Sequence, residues 1–419
     1  MSKGKKRVFV YLGTMPRNQG SGASLRFYSN IRAYLDLGFE VEAVQIATDA
    51  DGSEPSPDLH PVTWRRVIEA PPVPSVLGRL MYRAGIPHRT AVEYYFPSHR
   101  AVRREVESCC KRDPEAIHHL EGESHANVIP WLPKGARSIW SFHDLPSAVA
   151  EATIRVACEV NQRSMSAPER RDLQFARRVE RLMARHAPLI LCIADYDRDR
   201  LRNEWGCDRA EYLPMSIPGD GADRVANNWL RDGRLRLLHV GRISHLPSYR
   251  SLEFLLCEIF PRLPAHVLAR VSLDIIGRID RDERAGKILA LAERYPNVSF
   301  LGFVQDVVPY YNNSDLQIVA ATEATGLRTR IIESFAYGLP VLSTSVGARG
   351  IAGMRPGEHL LIADDAAQFA EHISILVHSP EILDRLSRRG RDFYLRNQSS
   401  SVVASTLAHY LQRYFGIVV

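Results

Sequence analysis

Six cysteines in 419 residues, none at the paired spacing that grips zinc or runs thiol–disulfide exchange, remove metal fingers and redox catalysis from consideration. No apolar run reaches the about 18 residues that crossing a bilayer requires, and no leader of basic-then-apolar type opens the chain. Met1 and a short basic stretch lead straight into a strand pattern at Arg7. The expectation is a cytoplasmic chain with reduced thiols, either free or peripheral at the inner face of the membrane. Arginines are scattered, and a long basic tail and an aromatic RNA-binding pattern are both missing, so nucleic acid is disfavoured as a partner. What is present is ordinary globular material: 45% apolar and 24% charged. A net charge of +6 favours anionic ligands or an anionic membrane surface without choosing between them. The length exceeds one ordinary core, which makes two domains the prior.

Short β-branched runs alternate with amphipathic helical stretches from end to end, the pattern of parallel sheets wrapped by helices. Strands are expected at 7–12, 41–46, 116–120, 138–142 and 189–194, with helices near 23–37, 98–111 and 169–186. A second series of strands falls at 235–240, 272–276, 298–301, 316–319, 341–343 and 359–362. The helices that go with it lie near 249–263, 282–294, 307–312, 329–337 and 366–378. Residues 213–222 hold two prolines and two glycines without periodicity and read as the join. The expected division is an N-terminal domain at 1–215, a C-terminal domain at 216–398 and a helix at 399–419 that packs back on the first. Residues 70–104 break the alternation, with prolines among Leu77, Leu80, Met81, Tyr82, Tyr94, Tyr95 and Phe96. They read as a buried helical hairpin slightly better than as a membrane-docking segment. Helix 169–187 is arginine-rich, but Leu173, Ala176, Val179 and Met183 recur at helical spacing, so its charges form a solvated face.

One stretch carries most of the chemistry: Ala321-Thr-Glu-Ala-Thr-Gly-Leu-Arg-Thr-Arg-Ile-Ile-Glu-Ser-Phe-Ala-Tyr-Gly-Leu-Pro-Val-Leu-Ser-Thr344. At about 100° per residue, Arg330, Glu333, Ser334 and Tyr337 share one helical face and Ile331, Ile332, Phe335 and Ala336 the other. Gly338 ends the helix and Pro340 prevents its return. A first turn bearing Arg328 and Arg330 beneath its own positive N-terminus suits a diphosphate. Glu333, one turn deeper, has the oxygens to accept from a diol such as ribose. The pattern fits a sugar nucleotide.

Further motifs surround it: His239-Val-Gly-Arg-Ile-Ser244, Asp274-Ile-Ile-Gly-Arg278, Val298-Ser-Phe-Leu-Gly-Phe-Val304, Ser345-Val-Gly-Ala-Arg-Gly350 and Gly357-Glu-His-Leu-Leu-Ile-Ala-Asp364. In the first half stand Ser141-Phe-His-Asp144 and Gly20-Ser-Gly22. In joint order and spacing the chain resembles the retaining glycosyltransferases of the GT-B fold, family four (glycosyl transferases group 1). The resemblance implies an α/β fold of two Rossmann-like doubly wound domains facing an interdomain cleft. The first would bind the acceptor and the second the nucleotide sugar. Two departures stand out. Where many relatives carry a Glu eight positions before the carboxylate matching Glu333, this chain has Thr325, with Glu323 two residues earlier. Where many carry a Lys after the Gly-Arg of the first motif, none follows Gly241-Arg242.

Glycosyl transfer from a nucleoside diphosphate leaves negative charge on the departing phosphate, so catalysis needs fixed positive charge more than a strong base. Arginines meet that need without a metal or other cofactor. Arg330 is the leading candidate, with Arg242 and Arg328 in support, because guanidinium forks match phosphate oxygens and stay protonated. The plain alternative is a helix-surface arginine paired with Glu333 at i+3. The resemblance assigns Glu333 to ribose, His143 to the transferred sugar, and Thr325 with Gly326 to the turn beneath that sugar. Gly22 opens a helix whose N–H groups can approach phosphate, although the surrounding loop lacks a dinucleotide fingerprint. Base contacts in such folds are largely backbone, here around Phe303. His118, His119 and Glu121, with Asp144, are candidate acceptor contacts, and no residue is assigned to a metal. The partners implied are a nucleotide-sugar donor and a saccharide, lipid-linked or small-molecule acceptor. Two rivals remain open: a sugar-nucleotide epimerase on the same fold, and a non-catalytic nucleotide-sugar-binding subunit. An NAD-dependent oxidoreductase ranks below both.

Overall fold

The computed structural model describes residues 6–17, 22–47, 54–68, 75–160, 162–221, 228–243, 245–279, 283–322 and 327–419. They divide into two compact units, residues 1–215 with 400–419 and residues 216–399.

The first unit is built on seven parallel strands: β1 (Arg7–Leu12), β2 (Glu40–Ala47), β3 (Thr63–Ile68), β4 (Ile117–Glu121), β5 (Arg137–Phe142), β6 (Leu189–Cys192) and β7 (Ala210–Tyr212). Their order is β3-β2-β1-β4-β5-β6-β7. The central strands are apolar on both faces because helices cover both: Val8 through Leu12 are all fully buried. Around them lie α1 (Gly22–Asp36), α2 (Val76–Arg83), α3 (Arg89–Tyr95), α4 (His99–Arg112), α5 (Glu123–Ala126), α6 (Pro146–Val160), α7 (Ala167–His186) and α8 (Asp195–Trp205). The chain runs outward from β1 through β2 and β3, then returns to lay β4 on the other side of β1. That reversal makes β1/β4 the switch point of the sheet.

Helix α7 starts on a closed capping box. The Glu169 N–H donates to Ser166 Oγ at 3.4 Å, and the Ser166 N–H donates to Glu169 Oε2 at 2.8 Å. Its Leu173, Ala176, Val179 and Met183 are buried at the expected helical spacing. Segment 75–96 is a helical hairpin on its inner side. The Tyr82 ring lies 5.1 Å from Tyr94, 5.8 Å from Tyr95 and 5.0 Å from Phe175, and its hydroxyl donates to Asp172. The outer side is not buried, contrary to the sequence reading: Val76, Leu77, Leu80 and Ile86 are exposed.

The second unit carries six parallel strands: β8 (Leu235–Val240), β9 (Val271–Ile276), β10 (Val298–Gly302), β11 (Leu316–Val319), β12 (Val341–Ser343) and β13 (Leu361–Ile362), ordered β10-β9-β8-β11-β12-β13. Its helices are α9 (Leu246–Phe254), α10 (Ala265–Leu268), α11 (Glu283–Ala292), α12 (Val308–Asn313), α13 (Thr329–Ala336), α14 (Ala366–Leu376) and α15 (Pro380–Asn397). Beyond α9 the chain stays helical but widens into a π turn at Leu255–Ile259 and tightens at Phe260–Arg262. Pro261, with no N–H to give, ends the regular ladder there. The switch point of this sheet lies between β8 and β11.

The last helix, α16 (Ser400–Phe415), belongs to the first unit. Its Val403, Leu407 and Leu411 are buried in one cluster with Phe27, Ile31 and Tyr34 of α1. The proline- and glycine-rich join is no loose linker either. Leu213, Met215 and Ile217 are buried, and the buried Arg26 guanidinium donates at 2.9 Å to the carbonyls of both Leu213 and Pro214.

A candidate donor site and a candidate acceptor pocket

In a parallel sheet all carboxyl ends open on one edge, and at a switch point two neighbouring loops diverge to leave a crevice. In the second unit those loops follow β8 and β11, and they bring Gly241-Arg242 to Arg328-Thr-Arg330. Gly277, at the end of β9, holds the β8 loop from behind. Its φ is +151°, and a Cβ there would come 1.9 Å from the Gly241 carbonyl oxygen. In front, the Arg330 guanidinium lies against Gly241, where a Cβ would stand 2.9 Å from Arg330 Nη2 and 2.6 Å from Ser248 Oγ.

Helix α13 holds its position because Ile331, Ile332, Phe335 and Ala336 are buried, which turns Arg330 and Glu333 to the partly open side. Gly338, at φ +61°, closes the helix. The Tyr337 N–H donates to the Glu333 carbonyl at 3.0 Å and the Leu339 N–H to the Ser334 carbonyl at 2.7 Å.

The electrostatics of this corner are uneven. Burial, and then the Arg328 charge, pull the Arg330 pKa down to about 10, which leaves it protonated at any working pH. Burial pushes Glu333 up to about 7, against the opposing pull of Arg330 and a hydrogen bond from Tyr311. No ion pair within 4 Å joins Arg330 to Glu333, so the plain reading of a helix-surface bridge is not realised. His245, although exposed, is lowered by partial desolvation and then by four guanidinium groups: Arg328, Arg330, Arg242 and Arg284. Phe303 follows the outermost strand β10, 66% exposed after Gly302 at φ +69°. Thr325 and Gly326, like Glu323, lie outside the described residues.

In the first unit the carboxyl edge carries the other candidates. His143 follows β5. Burial lowers its pKa to about 4, with Glu121 opposing and Arg26 assisting, so the ring is neutral at ordinary pH. The ring packs 5.5 Å from that of Phe27, and its Nε2 has no hydrogen-bond partner among the described residues. His143 and Asp144 line a cavity of about 370 Å³ together with Tyr95, Phe96, Glu180 and Met183. The Glu180 carboxylate accepts the Ser147 N–H at 2.5 Å. Asp197 is buried nearby, its pKa raised to about 8 by burial and then by the Asp144 charge. Gly22 opens α1, half-buried.

The strand-end trio is corrected by its surroundings. His118 is in the core: its Nδ1 is 3.1 Å from the Tyr11 hydroxyl and its Nε2 3.2 Å from Cys110 Sγ, so both ring nitrogens are engaged and neither reaches an acceptor. His119 is equally buried, 2.9 Å from the Tyr34 hydroxyl. Glu121 is 1% exposed, 3.2 Å from His119 Nε2, and accepts from Asn30 Nδ2 at 2.5 Å. Burial opposes its ionisation, but His119 and Arg26 outweigh burial and hold the pKa at about 2. Glu121 is a buried anion that fixes β4 against α1, not an acceptor contact.

Sequence reasoning passed over Tyr311, Ser248 and His245 in the second unit, and Tyr95, Phe96 and Glu180 at the cavity. Tyr311 is fully buried and stacks 5.2 Å from Tyr337. Tyr311, Ser248, Tyr95 and Glu180 lie on helices, and His245 and Phe96 flank helix ends, so only the tertiary fold brings them to these positions.

Residues 234–379 match the family described as glycosyl transferases group 1. An uncharacterized glycosyltransferase of Haemophilus influenzae is 23% identical over 151 residues, 36% of this chain and 42% of that protein. The chain spans less than half the length of the curated relatives it matches. Among solved structures, sucrose-phosphate synthase from Thermosynechococcus elongatus superposes with a TM-score of 0.69 at 16% identity, covering 98% of this chain and 100% of that one. The Anabaena protein HepE, in complex with UDP and glucose, superposes with a TM-score of 0.62 at 13% identity, covering 97% and 100%. The fold is therefore GT-B, with two Rossmann-like domains, and these matches together support a glycosyltransferase.

Proposed function

We propose that this protein is a retaining, metal-independent glycosyltransferase that moves a sugar from a nucleoside-diphosphate sugar to a saccharide, lipid-linked or small-molecule acceptor. The observation that carries the proposal is the Arg330 guanidinium seated against Gly241 at the β8/β11 switch point, with Arg242, Arg284 and Arg328 near and Glu333 one turn deeper on the same helix. As the glycosidic bond to phosphate stretches, negative charge grows on the leaving oxygens, and Arg330 stabilises it in a partly desolvated corner. Arg328 and Arg242 share that load. Glu333 accepts from the ribose hydroxyls, while the base lies over the β10 edge near Phe303.

In the first unit, neutral His143 offers its unpaired Nε2 to a hydroxyl of the transferred sugar. The acceptor enters the cavity beside Asp144 and Glu180. Attack on the same face as departure retains the anomeric configuration, and the leaving phosphate takes the acceptor's proton. The bound UDP in HepE places UDP first among the nucleotides to try.

Thermal-shift titration with UDP, GDP, dTDP and ADP identifies the base. Incubation with the matching nucleotide sugar, with and without an acceptor pool, then identifies the reaction. Transfer only with acceptor, giving a product of unchanged anomeric configuration by NMR, supports the proposal. A new sugar nucleotide formed without acceptor would make the protein an epimerase. Nucleotide binding with no product under either condition would make it a binding subunit.

A further inference from the structure

The outward face of α2 is apolar where a surface helix is ordinarily polar. Val76 is 78% exposed, Leu80 58% and Leu77 48%, and Ile86 just beyond the helix is 48% exposed. At about 100° per residue, Val76, Leu80 and Leu77 fill one continuous sector, Arg79 and Arg83 the sector beside it, and Gly78 and Tyr82 the inner face.

That inner face is fully committed. Helix α3 comes so close that a Cβ on Gly78 would stand 2.4 Å from the Thr90 carbonyl oxygen. Tyr82 is held in its ring cluster, and the Arg178 guanidinium donates to the Gly85 carbonyl. Rotating α2 to hide its leucines would break these contacts. The exposed face is thus a stable feature of the fold.

Its charge pattern points to one kind of partner. Residues 75–92 contain three arginines, Arg79, Arg83 and Arg89, and no acidic residue. Arg89 leans toward Glu93 at 3.7 Å, whereas Arg79 and Arg83 form no ion pair among the described residues. An apolar sector bordered by unpaired guanidinium groups complements a surface that is oily below and anionic above.

We propose that this face docks the protein reversibly on an anionic lipid bilayer. Val76, Leu77, Leu80 and Ile86 enter the boundary between headgroups and chains, and Arg79 and Arg83 meet the lipid phosphates. Four apolar side chains and two cations on so short a helix make a weak contact, suited to visiting a membrane and not to anchoring in it. Tyr95 and Phe96, at the far end of the same hairpin, line the acceptor cavity. The docking itself does not depend on the proposed reaction.

The full-length protein is sedimented with vesicles of phosphatidylcholine alone and of phosphatidylcholine mixed with phosphatidylglycerol. Binding is expected to the mixed vesicles only, declining as salt is raised. Arg79→Glu with Arg83→Glu should lower the partition at least roughly tenfold, and Leu77→Ser with Leu80→Ser should lower it too. Both pairs should leave melting temperature and UDP-induced thermal shift unchanged. Equal binding to the two vesicle types, no binding to either, or indifference to the charge reversal would overturn the proposal. So would a dimer in solution that the Leu77→Ser, Leu80→Ser variant breaks, since the face would then belong to a second copy of the chain.

Discussion

Arg330 Nη2 and the α-carbon of Gly241 are neighbours with no room between them: a methyl group on Gly241 would sit 2.9 Å from that nitrogen. The arginine of one loop is thus seated by the missing side chain of the other. Gly241→Ala should unseat the guanidinium, because the far end of Arg330 yields more easily than the backbone clamped by Gly277. Nucleotide affinity should fall roughly tenfold while the melting temperature drops by only a few degrees, the scale of about 1 kcal/mol. Isothermal titration checks it. Unchanged affinity would mean that the arginine's seat is irrelevant to binding.

Removing the charge itself should act on the rate. Arg330→Ala is expected to lower kcat by about a hundredfold or more, the scale seen when one preorganised group is withdrawn from a developing anion. Arg330→Lys should recover part of the rate, since it restores a charge but not the two-pronged geometry. Near-normal turnover of a folded alanine variant excludes the assignment.

The uneven legibility of this chain in its sequence has physical causes. Strands β1, β8, β11 and β12 fall at their expected residues because buried parallel strands are short apolar runs with clear ends. Edge strand β3 was invisible: its Thr-Trp-Arg-Arg-Val-Ile reads as surface, and the structure leaves most of it partly exposed. Helices α6, α8 and α15 were also missed. The shared helical face of Arg330 and Glu333 could be read from spacing on one amphipathic segment. His118 could not, because the same strand-end pattern serves a ligand or a buried hydrogen bond, and only the packing of Tyr11 and Cys110 around it decides. The Arg330–Gly241 seat joins residues about ninety positions apart, beyond any local pattern.

Glu333 should reveal a conflict between stability and binding. Its folded pKa of about 7 lies above its ordinary value of 4.5. Stability from this group is therefore complete below about pH 4.5 and lost as pH rises through 7, where the folded state must ionise a buried carboxyl. Glu333→Gln removes that penalty, so the variant should melt higher than wild type at pH 8 and no higher at pH 4.5. Nucleoside affinity should move the other way. In wild type it should grow as pH rises toward 7 and the carboxylate forms; in the variant it should be weak and flat. Calorimetry with the nucleoside, which has no phosphate to titrate, separates the two. A variant that binds like wild type would remove ribose from the role of Glu333.

The first unit should be unusually sensitive to acid. His99, His118, His125 and His143 are each lowered to about 4, with burial the leading cause in every case. Unfolded, each would take a proton near pH 6.5; folded, none does so until about 4. The stability this confers is present above pH 6.5 and is lost as pH falls toward 4, and unfolding in that window must take up protons. Calorimetric melts at pH 5 in two buffers of different ionisation enthalpy should show net proton uptake, the gain by these imidazoles exceeding the release from Glu333 and Asp197, and uptake should vanish at pH 8. His118→Phe keeps the ring stacked on Phe9, whose centroid lies 5.5 Å away, but cannot titrate. It should therefore reduce the uptake by about one proton while costing some stability at neutral pH through the lost hydrogen bond to the Tyr11 hydroxyl. Melts whose proton uptake is the same at pH 5 and pH 8 would show that these imidazoles gain protons in the folded protein, and would remove the neutral His143 on which the proposed sugar contact depends.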